Sequence, residues 1–173
     1  MTKVYSKYKL FGGFGLLIGL NILIGFGTFK LLTSSKISYD KVDFINDNNA
    51  LFAYSVIIGL NLLFLILLAT QCKFVIADNN GITFINPLIP ILRNTKQWTD
   101  FDYFILVEEA SRYDTHEAVW LIKDERIKGR FSSFYYVNYK DLKNQIKIKG
   151  HGKKHYGPFE QIFALLGLKR IKN

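Results

Sequence analysis

Two long apolar runs constrain this chain more than anything else in it. Residues 10–29 and 50–72 contain no Asp, Glu, Lys, Arg or His. As a helix, each run is long enough to cross a hydrocarbon layer of ~30 Å. Near the middle of each stands the same four-residue string, Ile18-Gly19-Leu20-Asn21 and Ile58-Gly59-Leu60-Asn61. Two spans of about 10–32 and 50–72, joined by a polar stretch, predict a transmembrane hairpin with antiparallel helices. Asn21 and Asn61 then arrive at the same depth, where a lone amide is costly, so the expectation is a hydrogen bond between the two side chains.

Gly15 and Gly19 make a small-xxx-small spacing in the first run and Gly59 precedes Asn61 in the second. Glycines so placed allow close helix approach. The helix-contact residues are therefore expected to be Gly15, Gly19, Asn21, Gly59 and Asn61, packing within the hairpin or against a second copy in a homo-oligomer.

Lys3, Lys7 and Lys9 precede the first run with no acid among them, whereas Lys36 and Lys41 in the connecting stretch are mixed with Asp40, Asp43 and Asp47. The asymmetry predicts both termini on the cytoplasmic side. The first run is longer than a secretory h-region and is followed by Gly27-Thr28-Phe29-Lys30 without a small-x-small cleavage site, so it reads as a retained span. Asn46-Asp47-Asn48-Asn49 reads as the hairpin turn.

Most of the formal net charge of +9 falls after residue 72. A positive domain beside a membrane attracts anionic headgroups, although the same charge is an ordinary solubility device. Cys72 is the single cysteine, which excludes a disulfide framework and a thiolate zinc site. Residues 73–77 and 82–85 read as a β-hairpin around the turn Asp78-Asn79-Asn80-Gly81. Short runs at 98–102, 104–109, 118–123 and 127–131 extend it, with an irregular connection or edge strand at 87–96, a longer loop at 110–117 and a tight turn at Asp124-Glu125. A helix follows, with Asn138 as its N-cap and Tyr139, Leu142 and Ile146 on one face. Trp98 and Trp120 read as core residues.

This order of parts resembles a bacterial PH-like domain on a two-span anchor. The resemblance covers about 73–149 and rests on Gly81-Ile82-Thr83-Phe84, Trp98-Thr99-Asp100-Phe101-Asp102, Val119-Trp120-Leu121-Ile122-Lys123 and the run Phe131-Ser132-Ser133-Phe134-Tyr135-Tyr136 leading into Asn138-Tyr139-Lys140-Asp141-Leu142. It implies a fold of α+β class: a small antiparallel β-barrel or sandwich capped by a helix. It also implies a non-catalytic binding or scaffolding module. Phosphoinositide recognition is not carried over, because the first hairpin turn is Asp78-Asn79-Asn80-Gly81 where the lipid-gripping members use basic residues.

The division expected is thus a hairpin over 1–72, a PH-like domain over 73–149 and a basic tail over 150–173. In that tail Gly150-His151-Gly152 opens a flexible connection, Pro158 starts a short amphipathic helix and Gly167 ends it. Phe159, Ile162, Phe163 and Leu166 share one face, directed at the membrane or at the domain. Lys153, Lys154, Lys169, Arg170 and Lys172 are the candidate contacts to anionic lipid.

No catalytic, cofactor or metal site is expected. His151 and His155 lie four apart without a carboxylate or thiol close in sequence, His116-Glu117 reads as an exposed loop pair, and Glu108 and Glu109 alternate across a strand. Nucleic acid is a poor partner for a β-domain tied to a membrane. The expectation is a multi-pass protein of the bacterial cytoplasmic membrane whose partners are the lipid bilayer, anionic headgroups and a protein. The alternative is an accessory or regulatory subunit of a membrane complex, acting through its two helices.

Overall fold

The computed structural model describes residues 2–33, 48–110 and 115–171. It is an α+β protein with two apolar helices of membrane-span length and two β-sheets. Helix α1 (Gly13–Thr33) and helix α2 (Asn48–Gln71) correspond to the two apolar runs. Only 11% and 6% of their apolar windows are buried. Asn48 and Asn49, expected in the turn, already belong to α2. The rest of the connecting stretch lies outside the described residues.

The first sheet has the order β1-β2-β3-β4: Val4–Tyr5, Phe74–Ala77, Gly81–Ile85 and Arg93–Gln97. The second has the order β7-β6-β5-β8: Arg126–Ser132, Thr115–Lys123, Tyr103–Ala110 and Gly150–Lys154. Alternation along each strand decides what faces what. Val75, Ala77, Ile82 and Phe84 of the first sheet share one core with Val119, Leu121 and Phe131 of the second, and Tyr139 and Leu142 of α3 (Tyr139–Asn144) enter the same core. On its other side the second sheet sends Ile105, Val107, Trp120 and Ile122 against Ala164 of α4 (Pro158–Leu165) and Ile171.

Of the two expected forms, barrel and sandwich, the closed barrel is not formed. The two sheets stay separate because the chain between β4 and β5 leaves the ladder: residues 98–102, expected as a strand, begin with a 3₁₀ turn at Trp98–Asp100. The Asp100 carboxylate accepts the Gln97 N–H at 2.8 Å, and the Trp98 indole donates to the Asp78 carbonyl at 2.9 Å. Both bonds tighten a corner that pairing with β5 would have to open.

Nor is the second sheet wholly antiparallel. Residues 150–154, expected as a flexible connection, pair with β5 in parallel, Phe104 opposite Gly150 and Val107 opposite Lys154. The glycines that suggested looseness permit this pairing. A Cβ at Gly150 would stand 2.8 Å from the Phe104 ring, and Gly152 takes φ +75 where the register shifts.

The lysine-rich N-terminal segment is also a strand. Val4 and Tyr5 pair with Ala77 and Ile76, and the buried Ser6 hydroxyl accepts the Val75 N–H at 2.8 Å. Asn138 occupies the N-cap position of α3 but makes no capping bond. Its amide instead donates to the Tyr5 carbonyl and accepts the Lys7 N–H, each at 2.8 Å, which ties the first strand down.

Lys123 pairs with Arg126, so Asp124 and Glu125 form the expected two-residue turn, with φ 51 and 58. Two L-residues in the left-handed region carry a backbone cost of ~1–2 kcal/mol each. Replacing Asp124-Glu125 by Asn-Gly is expected to raise stability by about 1 kcal/mol, seen as a higher unfolding midpoint. An unchanged or lower midpoint contradicts a primed turn here.

Candidate functional site

The facing pair of asparagines is present, in a different arrangement. Asn61 donates its side-chain amide to the Asn21 backbone carbonyl at 3.4 Å, and Asn21 donates to the Leu17 carbonyl one turn back at 2.8 Å. The amides therefore lie at one level and do not bond to each other, and Asn21 Oδ1 is buried without a partner. Asn21→Leu leaves the Asn61 acceptor, a backbone carbonyl, in place. The Asn21→Leu and Asn61→Leu effects are thus expected to add within about 0.5 kcal/mol in a double-mutant cycle on unfolding in detergent. A coupling of 1 kcal/mol or more would mean that the two side chains do meet.

The glycines do not serve the hairpin as expected. An added Cβ at Gly19 or Gly59 meets nothing within 4 Å, so neither is at the crossing. A Cβ at Gly15 would collide with the Leu10 backbone carbonyl, which makes Gly15 a residue of the entry to α1. The close packing lies nearer the domain, where Leu17 and Leu68 are buried and Phe14, Ile18, Phe64 and Leu67 pack around them.

A collar joins the helices to the domain. Lys9 N–H donates to the Tyr135 carbonyl at 2.8 Å and Gly13 N–H to the Phe134 carbonyl at 3.0 Å. The Tyr8 ring stacks on Phe14 with centroids 4.0 Å apart, and its hydroxyl donates to the Cys72 carbonyl at 2.8 Å. Burial, with the Cys72 side chain adding to it, pushes that hydroxyl up to about 12, so it remains a donor. Tyr136 donates its hydroxyl to the Lys73 carbonyl.

Beside the collar lies a charged latch. Arg130 on β7 pairs with Glu109 on β5, with only 15% and 13% of the two side chains exposed. The Arg130 guanidinium also donates to Gln71, the last residue of α2, and lies 5.8 Å from the Tyr135 ring centre. Ser132 donates to the other Glu109 oxygen at 2.8 Å. Glu108, on the opposite face as expected, pairs with Lys153 and lies 3.7 Å from His155. Glu117, expected in a loop, stands on β6 and accepts from Tyr139 at 2.8 Å and Lys143 at 2.7 Å. Burial works to raise its carboxyl, and these two donors together outweigh it and hold it below the usual carboxylate value. The His116 ring lies 4.8 Å from Phe134.

Three of the candidate lipid-binding cations are engaged within the protein: Lys153 with Glu108, Lys169 with Glu160, and Arg170 with Glu125 at 3.7 Å. Lys154 belongs to β8 and Lys172 lies outside the described residues. Pro158 opens α4 and Gly167, with φ +74, closes it, as expected. Its Phe159, Ile162, Phe163 and Leu166 are exposed, while Gln161 ties the helix to β5 through the Glu108 carbonyl at 2.9 Å. Leu165 borders a cleft of about 210 Å³ with Thr70, Gln71, Lys73, Lys128 and Arg130.

A different set of cations, which sequence reasoning passed over, gathers where α2 enters the domain. A second cleft of about 250 Å³ is lined by Lys73, Phe84, Asn86, Leu92, Arg93 and Asn94. Lys96 stands farther along β4, opposite Ile82, with its ammonium 5.6 Å from the Phe101 ring centre. Its ammonium is held below its ordinary value, first by burial and then by the charge of Lys128, against the pull of Asp100 and with the help of Lys73. The available signal was positional: Lys73 ends an apolar run, and Arg93 ends the apolar stretch 88–92.

Among the described residues no group of three or more His, Cys, Asp and Glu converges as metal ligands. Trp98 and Trp120 are buried in the two cores, as expected. In comparisons with family models, with curated proteins and with solved structures, the chain matched none.

Proposed function

We propose that the chain is a two-span protein of a bacterial cytoplasmic membrane that carries a non-catalytic, PH-like binding module on the cytoplasmic face, with both termini on that side. The observation that carries the reading is the abrupt change at the collar. Along α1 and α2 large apolar side chains such as Leu23, Phe26, Leu62 and Ile66 are exposed, and beyond Cys72 the apolar side chains of the strands turn into shared cores. Exposed apolar surface on this scale is stable only in lipid or under a partner. Two four-stranded sheets sharing a core with a helix that seats Leu142 support the PH-like reading. A module built this way offers surfaces and clefts for a protein or a headgroup.

One observation favours the accessory-subunit reading. The Gly19 and Gly59 faces are open, which would suit a further helix.

Membrane extraction and labelling test the proposal. The protein is expected to resist carbonate extraction, an impermeant thiol reagent is expected to reach Ser35→Cys from outside intact cells, and Asn173→Cys is expected to stay protected. Cys72 is fully buried and adds little background. Release by carbonate refutes membrane crossing, and labelling at 173 alone inverts the orientation. If Gly19→Leu with Gly59→Leu abolishes recovery of a co-purifying protein, the helices carry the function and the accessory reading replaces the module.

A further inference from the structure

The connection between β3 and β4 is organised in a way that solubility does not explain. Asn86 folds its side chain back to accept the N–H groups of Leu88 at 2.9 Å and Ile89 at 3.1 Å, and its own N–H donates to the Leu92 carbonyl at 3.1 Å. The closed loop presents Leu88, Ile89, Ile91 and Leu92 outward, with Ile91 90% exposed. Four exposed aliphatic side chains on a rigid loop form a patch that water disfavours.

Register places this loop. Phe74 pairs with Ile85, and Ile85 pairs with Arg93, so these three residues form one row across the sheet. Phe74 follows Lys73 and Cys72, and the Cys72 N–H still donates to the Leu68 carbonyl as the end of α2. Residues 86–92 therefore project past the row on the α2 side, two strands or ~10 Å from the helix end. The exposed Leu10 and Phe11, which lead into α1, emerge at the same end of the sheet.

Lys73, Arg93 and Lys128 lie near that level. Lys73 and Arg93 line the cleft beside Leu92, and Lys73 and Lys128 line the adjoining cleft at the end of α2. Among the described residues none of these three takes part in an ion pair, whereas Lys153, Lys169 and Arg170 of the tail do. Unneutralised cations converging beside an aliphatic loop match an anionic headgroup above its acyl chains.

We propose that the cleft at Lys73 and Arg93, with Lys128 in the adjoining cleft, receives the phosphate of an anionic phospholipid of the host bilayer, while Leu88, Ile89, Ile91 and Leu92 enter the adjoining acyl layer. The proposal rests on the two-span reading above and identifies the lipid as a ligand of the module. It lies at the opposite end of β2 and β3 from the turn Asp78-Asn79-Asn80-Gly81.

The full chain carrying Ile91→Cys labelled with bimane, in vesicles of phosphatidylcholine with phosphatidylglycerol, tests the loop. Acyl-chain spin-labelled lipid is expected to quench the Ile91 position and to leave an Asn80→Cys label unquenched. Native mass spectrometry of the full chain in detergent tests the cleft. Phosphatidylglycerol is expected to be retained over phosphatidylcholine, and Lys73→Gln with Arg93→Gln is expected to reduce that preference about tenfold, two surface cations being involved. Lys73→Arg with Arg93→Lys is expected to keep the preference.

An unquenched Ile91 label, no headgroup preference, a preference indifferent to the Gln changes, or equal displacement by inorganic phosphate overturns the proposal, the last by making the ligand free phosphate. Carbonate extraction of the same protein separates the two claims. A chain that resists extraction yet fails these measurements refutes the lipid site alone, and a chain that is released refutes the two-span reading with it.

Discussion

Arg130→Met is expected to destabilise the folded protein by about 3–5 kcal/mol, because it leaves the Glu109 carboxylate buried and unpaired. Glu109 is only 13% exposed and, among the described residues, retains Ser132 as its one other side-chain donor. A single hydroxyl does not replace a guanidinium that engages Glu109 through two nitrogens. For a chain of this size the loss corresponds to a fall on the order of 10 °C in unfolding midpoint, measured in detergent by the near-ultraviolet signal of Trp98 and Trp120. Adding Glu109→Gln should recover part of the loss, since it removes the charge left behind. Because Arg130 also holds Gln71 at the end of α2, the same variant should make the helix-to-domain junction more open to proteolysis. A midpoint within 1 °C of the unsubstituted protein would show that the pair is solvated and that the latch does not hold α2.

The glycines separate sharply in expected effect. Gly15→Ala places a methyl against the Leu10 carbonyl, a backbone atom that cannot rotate away, and must displace the entry to α1 or the whole turn 10–12. Overpacking of this kind costs about 1–3 kcal/mol or more. Gly19→Ala and Gly59→Ala meet open space, and each is expected to be neutral or to raise stability by up to about 1 kcal/mol through better helix propensity. The three variants are compared by unfolding midpoint in one detergent. Equal losses at all three positions would return Gly19 and Gly59 to a packed interface. A loss of co-purifying protein at Gly19 or Gly59 without loss of stability would point to an external helix.

Much of the architecture was legible because it depends on local pattern. The two apolar helices follow from runs without charge, the hairpins at 78–81 and 124–125 from turn residues between alternating strands, and α4 from Pro158, its apolar spacing and Gly167. The helix at 139–144 was read from Tyr139 and Leu142, which do enter the core. What failed involved a partner distant in sequence. Val4 and Tyr5 make a strand only because β2 offers an edge more than 60 residues later, and two residues carry no periodicity to read. Gly150 and Gly152 look like linker until Phe104 needs the space above its ring. Asn138 is a good N-cap by type, and the open backbone of the first strand competes for it and wins.

The sequence by itself determined that two helices would be too apolar to lie exposed to water and that Asn21 and Asn61 would stand at one level, because those facts depend on composition and rise per residue. The tertiary structure alone decided azimuth and pairing. Whether Gly19 and Gly59 face the neighbouring helix, which of the many cations are neutralised, and which end of the sheet carries the aliphatic loop depend on rotation about helix axes and on strand register. Neither is encoded in a period of 3.6 or of 2 until a second surface packs against the first. Arg130 and Glu109 show this most plainly: they stand 21 positions apart, on two strands that do not pair with each other, and β6 between them sets the distance at which their charges meet.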